Sequence, residues 1–194
     1  MKISIGTIQK VLPLKIKLIM KKFVALFGLA VAVLIGCKTG GLLNNDKVLV
    51  VVFEPKSNST VIGTATFIAN DGYVTMVAKL KGLTPGVHAI HIHEKSDCSA
   101  ADGSSAGGHW NPTFKKHGKL GEGEAHKGDI GNFTADAKGN GSITFTTNEW
   151  AIGSADETKN IIGKGLIVHQ GADDYVSQPA GNAGARVACS ALIR

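Results

Sequence analysis

Past residue 45 the apolar positions recur at every second residue, the period of a strand with one covered face, and sustained helical periodicity is scarce. Residues 48–53 form a strongly apolar run, and residues 61–69 alternate and are rich in β-branched side chains. Asn70-Asp71-Gly72 is a hairpin signal, which makes 73–80 the partner strand. A turn over 82–86 containing Pro85 leads into an alternating strand at 87–93. The pattern then stops for 36 residues, 94–129, a length without regular structure that inside a compact domain is usually functional. It resumes at 132–135 and, after a Gly-Asn-Gly turn, at 142–147. An irregular connection with Trp150 precedes an apolar strand at 161–169. A second loop rich in Gly, Asp and Pro precedes a closing strand at 185–193. Eight short strands with turns between them predict an all-β fold, an antiparallel barrel or sandwich with two long functional loops.

The charge balance changes once the chain is divided. The net charge is +6, but residues 1–36 hold Lys2, Lys10, Lys15, Lys17, Lys21 and Lys22 and no acid. The remainder carries fifteen basic and fifteen acidic residues, so nothing in it asks for nucleic acid. The leader has the order of a secretion signal: Met20-Lys21-Lys22, a thirteen-residue apolar stretch 23–35, then Leu34-Ile35-Gly36-Cys37. Thirteen residues are too short to span a bilayer comfortably. The ending resembles the lipobox of bacterial lipoproteins, which implies diacylation of Cys37 as the mature N-terminus and attachment to a membrane by that lipid alone. The chain therefore divides into a signal at 1–36 with Met20 as a candidate start, a lipidated Cys37 and tether at 37–46, and one domain at 47–194. Setting Cys37 aside, Cys98 and Cys189 form an even pair, which in an exported protein implies a disulfide.

Six of the seven histidines fall in one arrangement: His91-x-His93, His109, His117, His126 with Asp129 three residues on, and a distant His169. His91 and His93, two apart on a strand, share a face, and His169 ends another apolar strand. With His109 they make four imidazoles, a set suited to Cu(II). His109, His117, His126 and Asp129 make three imidazoles and a carboxylate, a set suited to structural Zn(II). His109 belongs to both sets, and an imidazole without N–H protons binds one ion at each nitrogen. His88 falls outside both and reads as a structural hydrogen-bonding residue.

Gly86-Val-His88-Ala-Ile-His91-Ile-His93-Glu94 and Gly181-Asn-Ala-Gly184-Ala-Arg186-Val-Ala-Cys189 resemble the two signatures of copper/zinc superoxide dismutases. His109-Trp-Asn-Pro112, His126-Lys-Gly-Asp129-Ile-Gly-Asn132 and Val168-His169-Gln-Gly-Ala-Asp173-Asp174 are similar to the family between them, over about residues 48–193. The resemblance implies a Greek-key barrel and dismutation of superoxide to dioxygen and hydrogen peroxide. Copper would be held by His91, His93, His109 and His169, and zinc by His109, His117, His126 and Asp129. Asp173 would link His91 to His117, Arg186 would attract the anion beside copper, and His109 would deliver a proton. Cys98 and Cys189 would form the family disulfide. It also implies antioxidant work in the cell envelope or periplasm, as a monomer or homodimer.

Two other readings share these ligands: a copper or zinc store without turnover, and a structural domain that binds zinc alone. Arg186 speaks against the first, because a store has no need of a cation beside its metal. The intact His91, His93 and His169 speak against the second. The segment 174–185 carries no Lys and no Glu, so any steering lysines would have to be Lys115, Lys116, Lys119 or Lys127 in the first long loop.

Overall fold

The computed structural model describes residues 47–194. The signal, Cys37 and the whole tether lie outside the described residues. Eight antiparallel strands run in chain order as β1 (Val48–Pro55), β2 (Ile62–Asn70), β3 (Tyr73–Lys81), β4 (Gly86–His93), β5 (Asp129–Ala135), β6 (Gly141–Thr147), β7 (Lys164–His169) and β8 (Arg186–Leu192). They close into a barrel in the order β1-β2-β3-β6-β5-β4-β7-β8.

The closure is uneven. β1 meets β8 through Glu54↔Cys189 and Pro55↔Ala188 only, and β5 meets β6 through Ala135↔Gly141 only. Elsewhere the ladders run four to nine residue pairs, two of them with a single irregularity. The barrel is thus two four-stranded halves, β1-β2-β3-β6 and β5-β4-β7-β8, which is why a sandwich and a barrel were equally good descriptions of the alternation. Leu49, Val51, Phe53, Phe67, Met76, Leu80, Ile90, Ile92, Leu166 and Leu192 fill the space between them.

The strand edges follow local chemistry. The β2–β3 hairpin turns at Asp71 and Gly72, with φ of 48° and 80°, the left-handed pair that Asp-Gly adopts readily. The run 48–53 is apolar on both faces, but only one face is covered: Val50 and Val52 are 61% and 66% exposed. β7 begins at Lys164 rather than at 161, because Gly163 takes a φ of 84° and the Lys164 N–H turns back to the Ile161 carbonyl. β5 begins at Asp129 rather than 132, so this proposed ligand stands on the sheet and not in the loop.

From His88 to His93, β4 is buried without alternation. Ile90 and Ile92 belong to the barrel core, while His91 and His93 face the opposite side and are covered there by the long loops. The loop after β4 contains one short 3-10 turn, Ser104–Ala106, and is fastened by the Cys98–Cys189 disulfide, with Cα atoms 5.8 Å apart. Lys56, nearly buried, donates from Nζ to the Cys98 carbonyl at 2.5 Å and ties the same loop to the end of β1.

Candidate metal centre

Two register irregularities fall at the functional residues. Between β4 and β5 the pairing passes from Ile90↔Gly131 to His91↔Asp129, skipping Ile130. Between β7 and β8 it passes from Val168↔Ala188 to His169↔Arg186, skipping Val187. A bulge re-aims side chains locally, and here each one makes two functional residues direct cross-strand partners. An isolated bridge, His93↔His109, brings the first loop back across the end of β4.

The structure brings together both sets expected from the sequence. His91, His93, His109 and His169 place ligand atoms within 4.8 Å of one another, and so do His109, His117, His126 and Asp129. All seven residues are buried. In His91, His93, His117 and His169 one ring nitrogen is hydrogen-bonded outside the sets and the other is aimed into one. His93 Nδ1 donates to the Gly107 carbonyl at 3.0 Å and His169 Nδ1 to the Gly184 carbonyl at 3.2 Å, which leaves their Nε2 atoms facing at 3.4 Å. His91 Nε2 donates to Asp173 Oδ2 at 2.8 Å, and His117 Nε2 donates to Asp173 Oδ1 at 2.9 Å. Asp173 therefore joins one set to the other. Asp129 accepts from His109 Nδ1 at 2.8 Å and from the backbone N–H groups of His126 and Gly118.

The buried side-chain atoms without a hydrogen-bond partner, among the described residues, are His91 Nδ1, His109 Nε2, His117 Nδ1 and His126 Nδ1. Buried polar atoms are ordinarily paired. Four orphaned imidazole nitrogens converging on two points, two from each set, fit metal ions as the missing partners. Four imidazoles suit copper, and three imidazoles with a carboxylate suit zinc.

The electrostatics agree. Burial lowers His93 and His169 well below the ordinary imidazole range, with neighbouring histidines adding to the effect. His109 falls to about 4, through burial and the nearby His91, against the pull of Asp129. Burial alone would lower His117, but its contacts with Asp129 and Asp173 prevail and raise it to about 9. Burial likewise opposes ionisation of Asp129 and Asp173, yet their histidine partners hold both well below the usual carboxylate range. Most of the cluster is therefore set to be neutral imidazole and anionic carboxylate, the forms that bind metals.

A cavity of about 510 Å³ opens onto His93, His109, His126 and His169, with Arg186 on its wall. Arg186 donates from Nη1 to the Gly103 carbonyl and from Nη2 to the Gly107 carbonyl, both at 2.7 Å. Among the described residues lining the cavity, Arg186 is the basic one and Glu94 the carboxylate; none of the four candidate steering lysines lines it. Lys119 is paired with Glu122 at 2.5 Å, and Lys127 with Glu149. His88 is the hydrogen-bonding residue expected, joining the His169 carbonyl at 2.9 Å to the Thr84 carbonyl at 2.8 Å.

Sequence reasoning passed over several supports. Gly181 has a φ of 64°, and a Cβ there would overlap Asp173 Oδ1 and lie 2.6 Å from His117 Nε2. Gly107, Lys56, Asn132 and Gln178 act through backbone contacts that leave no local signature.

Fold and site together define a class, a closed antiparallel barrel carrying two adjoining side-chain clusters that could each hold a metal and that share His109. The family described as copper/zinc superoxide dismutase (SODC) matches residues 61–192. Superoxide dismutase [Cu-Zn] 2 of Aquifex aeolicus is 40% identical over 136 residues, 68% of this chain and 79% of the relative. Superoxide dismutase [Cu-Zn] 1 of the same organism is 38% identical over 135 residues, with the same coverage. The chain belongs to the copper/zinc superoxide dismutase family, and copper, zinc and the dismutation of superoxide come with that membership.

Proposed function

We propose that copper is held by His91, His93, His109 and His169, that zinc is held by His109, His117, His126 and Asp129, and that the protein removes superoxide in a bacterial cell envelope. The observation that carries the assignment is the set of orphaned nitrogens, with His109 offering Nε2 to one set while its Nδ1 faces Asp129 in the other. Copper, when bound, supplies a centre that takes one electron and returns it, so that two superoxide anions and two protons become dioxygen and hydrogen peroxide.

The chain's own residues do the rest. Arg186 keeps a fixed positive charge on the cavity wall, where two backbone carbonyls orient it and charge focusing raises capture of a small anion. His109 Nε2 is the atom that would hold a proton and pass it to the peroxide product, while Nδ1 is turned to Asp129. Asp173 holds His91 and His117 in the orientations that leave Nδ1 of each ring for metal. The surrounding loops bury these rings and limit contact with bulk water.

The Cys98–Cys189 disulfide suits an oxidising compartment. With the signal order in the leader, it supports export, with attachment through a lipid on Cys37. The test is metal content, Cu(II) EPR and turnover of the exported, disulfide-intact protein. One copper and one zinc per chain with rapid dismutation are expected, and His109→Ala should lower turnover by about a hundredfold or more. A fully copper-loaded protein without turnover would make it a metal store, and uptake of zinc alone would make it a structural domain.

A further inference from the structure

Gln178 lies in the loop between β7 and β8, 61 residues from His117 in sequence. Its Oε1 accepts from the His117 N–H at 2.9 Å, and its Nε2 donates to the His117 carbonyl at 3.0 Å. One side-chain amide thus pairs with both polar groups of one residue's backbone, the pairing a neighbouring strand gives within a sheet. His117 stands outside every strand, and among the described residues these are the hydrogen bonds its backbone makes. Its ring is held at the other end by the Nε2 hydrogen bond to Asp173, and its unpartnered Nδ1 lies beside Asp129 Oδ2 at 3.0 Å.

The arrangement is repeated on the partner residue. Asn132 on β5 donates from Nδ2 to the Asp173 carbonyl and accepts from the Asp173 N–H, both at 2.8 Å. The two members of the His117–Asp173 pair are therefore each gripped by a side-chain amide, one from the sheet and one from the loop. The copper-side rings have other supports. His93 and His169 rest on the Gly107 and Gly184 carbonyls, and His91 rests on Asp173, which Asn132 keeps in place.

We propose that Gln178 is a positioning residue of the His109, His117, His126 and Asp129 set: by clamping the His117 backbone it governs how tightly that set holds zinc, and it reaches the four-imidazole set only indirectly, through Asp173 and the shared His109. This rests on the assignment of zinc made above. Removing the clamp frees the His117 backbone to rotate, so the ring must be ordered again on each binding event. Loss of a group that orients a ligand typically costs about 10–100-fold in metal affinity.

The test uses the full exported protein with Gln178→Met, which keeps the length and removes both hydrogen bonds, and Gln178→Glu, which keeps an acceptor and loses the donor. Zinc affinity is measured by competition with a chromophoric chelator, Co(II) absorption reports the zinc set, and Cu(II) EPR reports the other. Gln178→Met should weaken zinc by about tenfold or more and shift the Co(II) bands, Gln178→Glu should fall between, and the Cu(II) spectrum should move less than the Co(II) bands. Unchanged zinc affinity and Co(II) bands in both variants would overturn the proposal, as would a Cu(II) spectrum disturbed as much as the Co(II) bands. If neither variant folds, a scalar coupling across the hydrogen bond between the His117 amide nitrogen and the Gln178 side-chain carbonyl carbon is expected in the unsubstituted, zinc-loaded protein. Its absence would overturn the clamp. Failure of the unsubstituted protein to bind zinc is a separate result, which removes the site assignment and the role of the clamp with it.

Discussion

Arg186 and His93 donate to the same atom, the carbonyl oxygen of Gly107, at 2.7 and 3.0 Å. The cation of the cavity and a ring of the four-imidazole set are thereby indexed to one peptide group, and a second carbonyl, Gly103, fixes the other arm of the guanidinium. A lysine at 186 cannot span both carbonyls with one ammonium in a planar fork. Arg186→Lys should therefore retain charge but lose placement, and Arg186→Ala should lose both. Stopped-flow decay of superoxide should show kcat/KM down by about tenfold or more in the alanine variant, with the lysine variant between. Since no lysine among the described residues lines the cavity, the salt dependence should be shallow and should flatten further in Arg186→Ala. A steep salt dependence surviving that substitution would refute the single-cation account.

Asp173 serves two rings with two oxygens. Asn at this position offers an acceptor to one ring and an N–H to the other, so one of the two imidazoles loses its partner. Asp173→Asn should weaken zinc by about 10–100-fold in a chelator competition. Equal zinc retention would show that the linking carboxylate does not orient His117.

The metal-free protein should be most stable near neutral pH. His109 is depressed from 6.5 to about 4 in the folded chain, so its contribution is complete above 6.5 and is lost as pH falls toward 4. His93 and His169 shift in the same direction. His117 is raised from 6.5 to about 9, so its pairing with Asp129 and Asp173 is complete below 6.5 and is lost as pH rises through about 9. Urea midpoints of the metal-free protein should therefore fall on both sides of a maximum at about pH 6.5. A midpoint that rises steadily from acid to alkaline pH would contradict the His117 pairing.

The disulfide closes a separation of 91 residues, for which the chain-entropy account gives about 4–5 kcal/mol. Cys98→Ser with Cys189→Ser should lower the melting temperature of the metal-loaded protein by about 10 °C or more. It should also lower turnover, because Gly103 and Gly107 sit in the loop that the bond fastens. A drop in melting temperature with unchanged turnover would mean that Lys56, through the Cys98 carbonyl, suffices to hold the loop.

What could be read from the sequence was what repeats or clusters locally. Alternation located all eight strands, and the His-x-His spacing on one of them, with the histidines of the long loop, located both clusters that could hold a metal. The boundaries that moved did so at glycine and at bulges. Gly163 delays β7, and the bulge opposite Ile90 carries pairing back to Asp129, a register effect invisible without the partner strand. The supports of the site were illegible for a related reason. Gln178 touches His117 across 61 residues, and Lys56 reaches Cys98 across 42, through backbone atoms that every residue possesses. No residue type at the receiving end marks such a contact.

The two seams of the barrel divide the labour of the molecule. Every atom offered to a metal comes from β4, β5, β7 or the long loops, and Arg186 opens β8, whereas β1, β2, β3 and β6 offer none. That quartet is a chassis. Its outward positions, Val50 and Val52 among them, are free to be recharged, labelled or regrafted while the chemistry across the seam keeps its register.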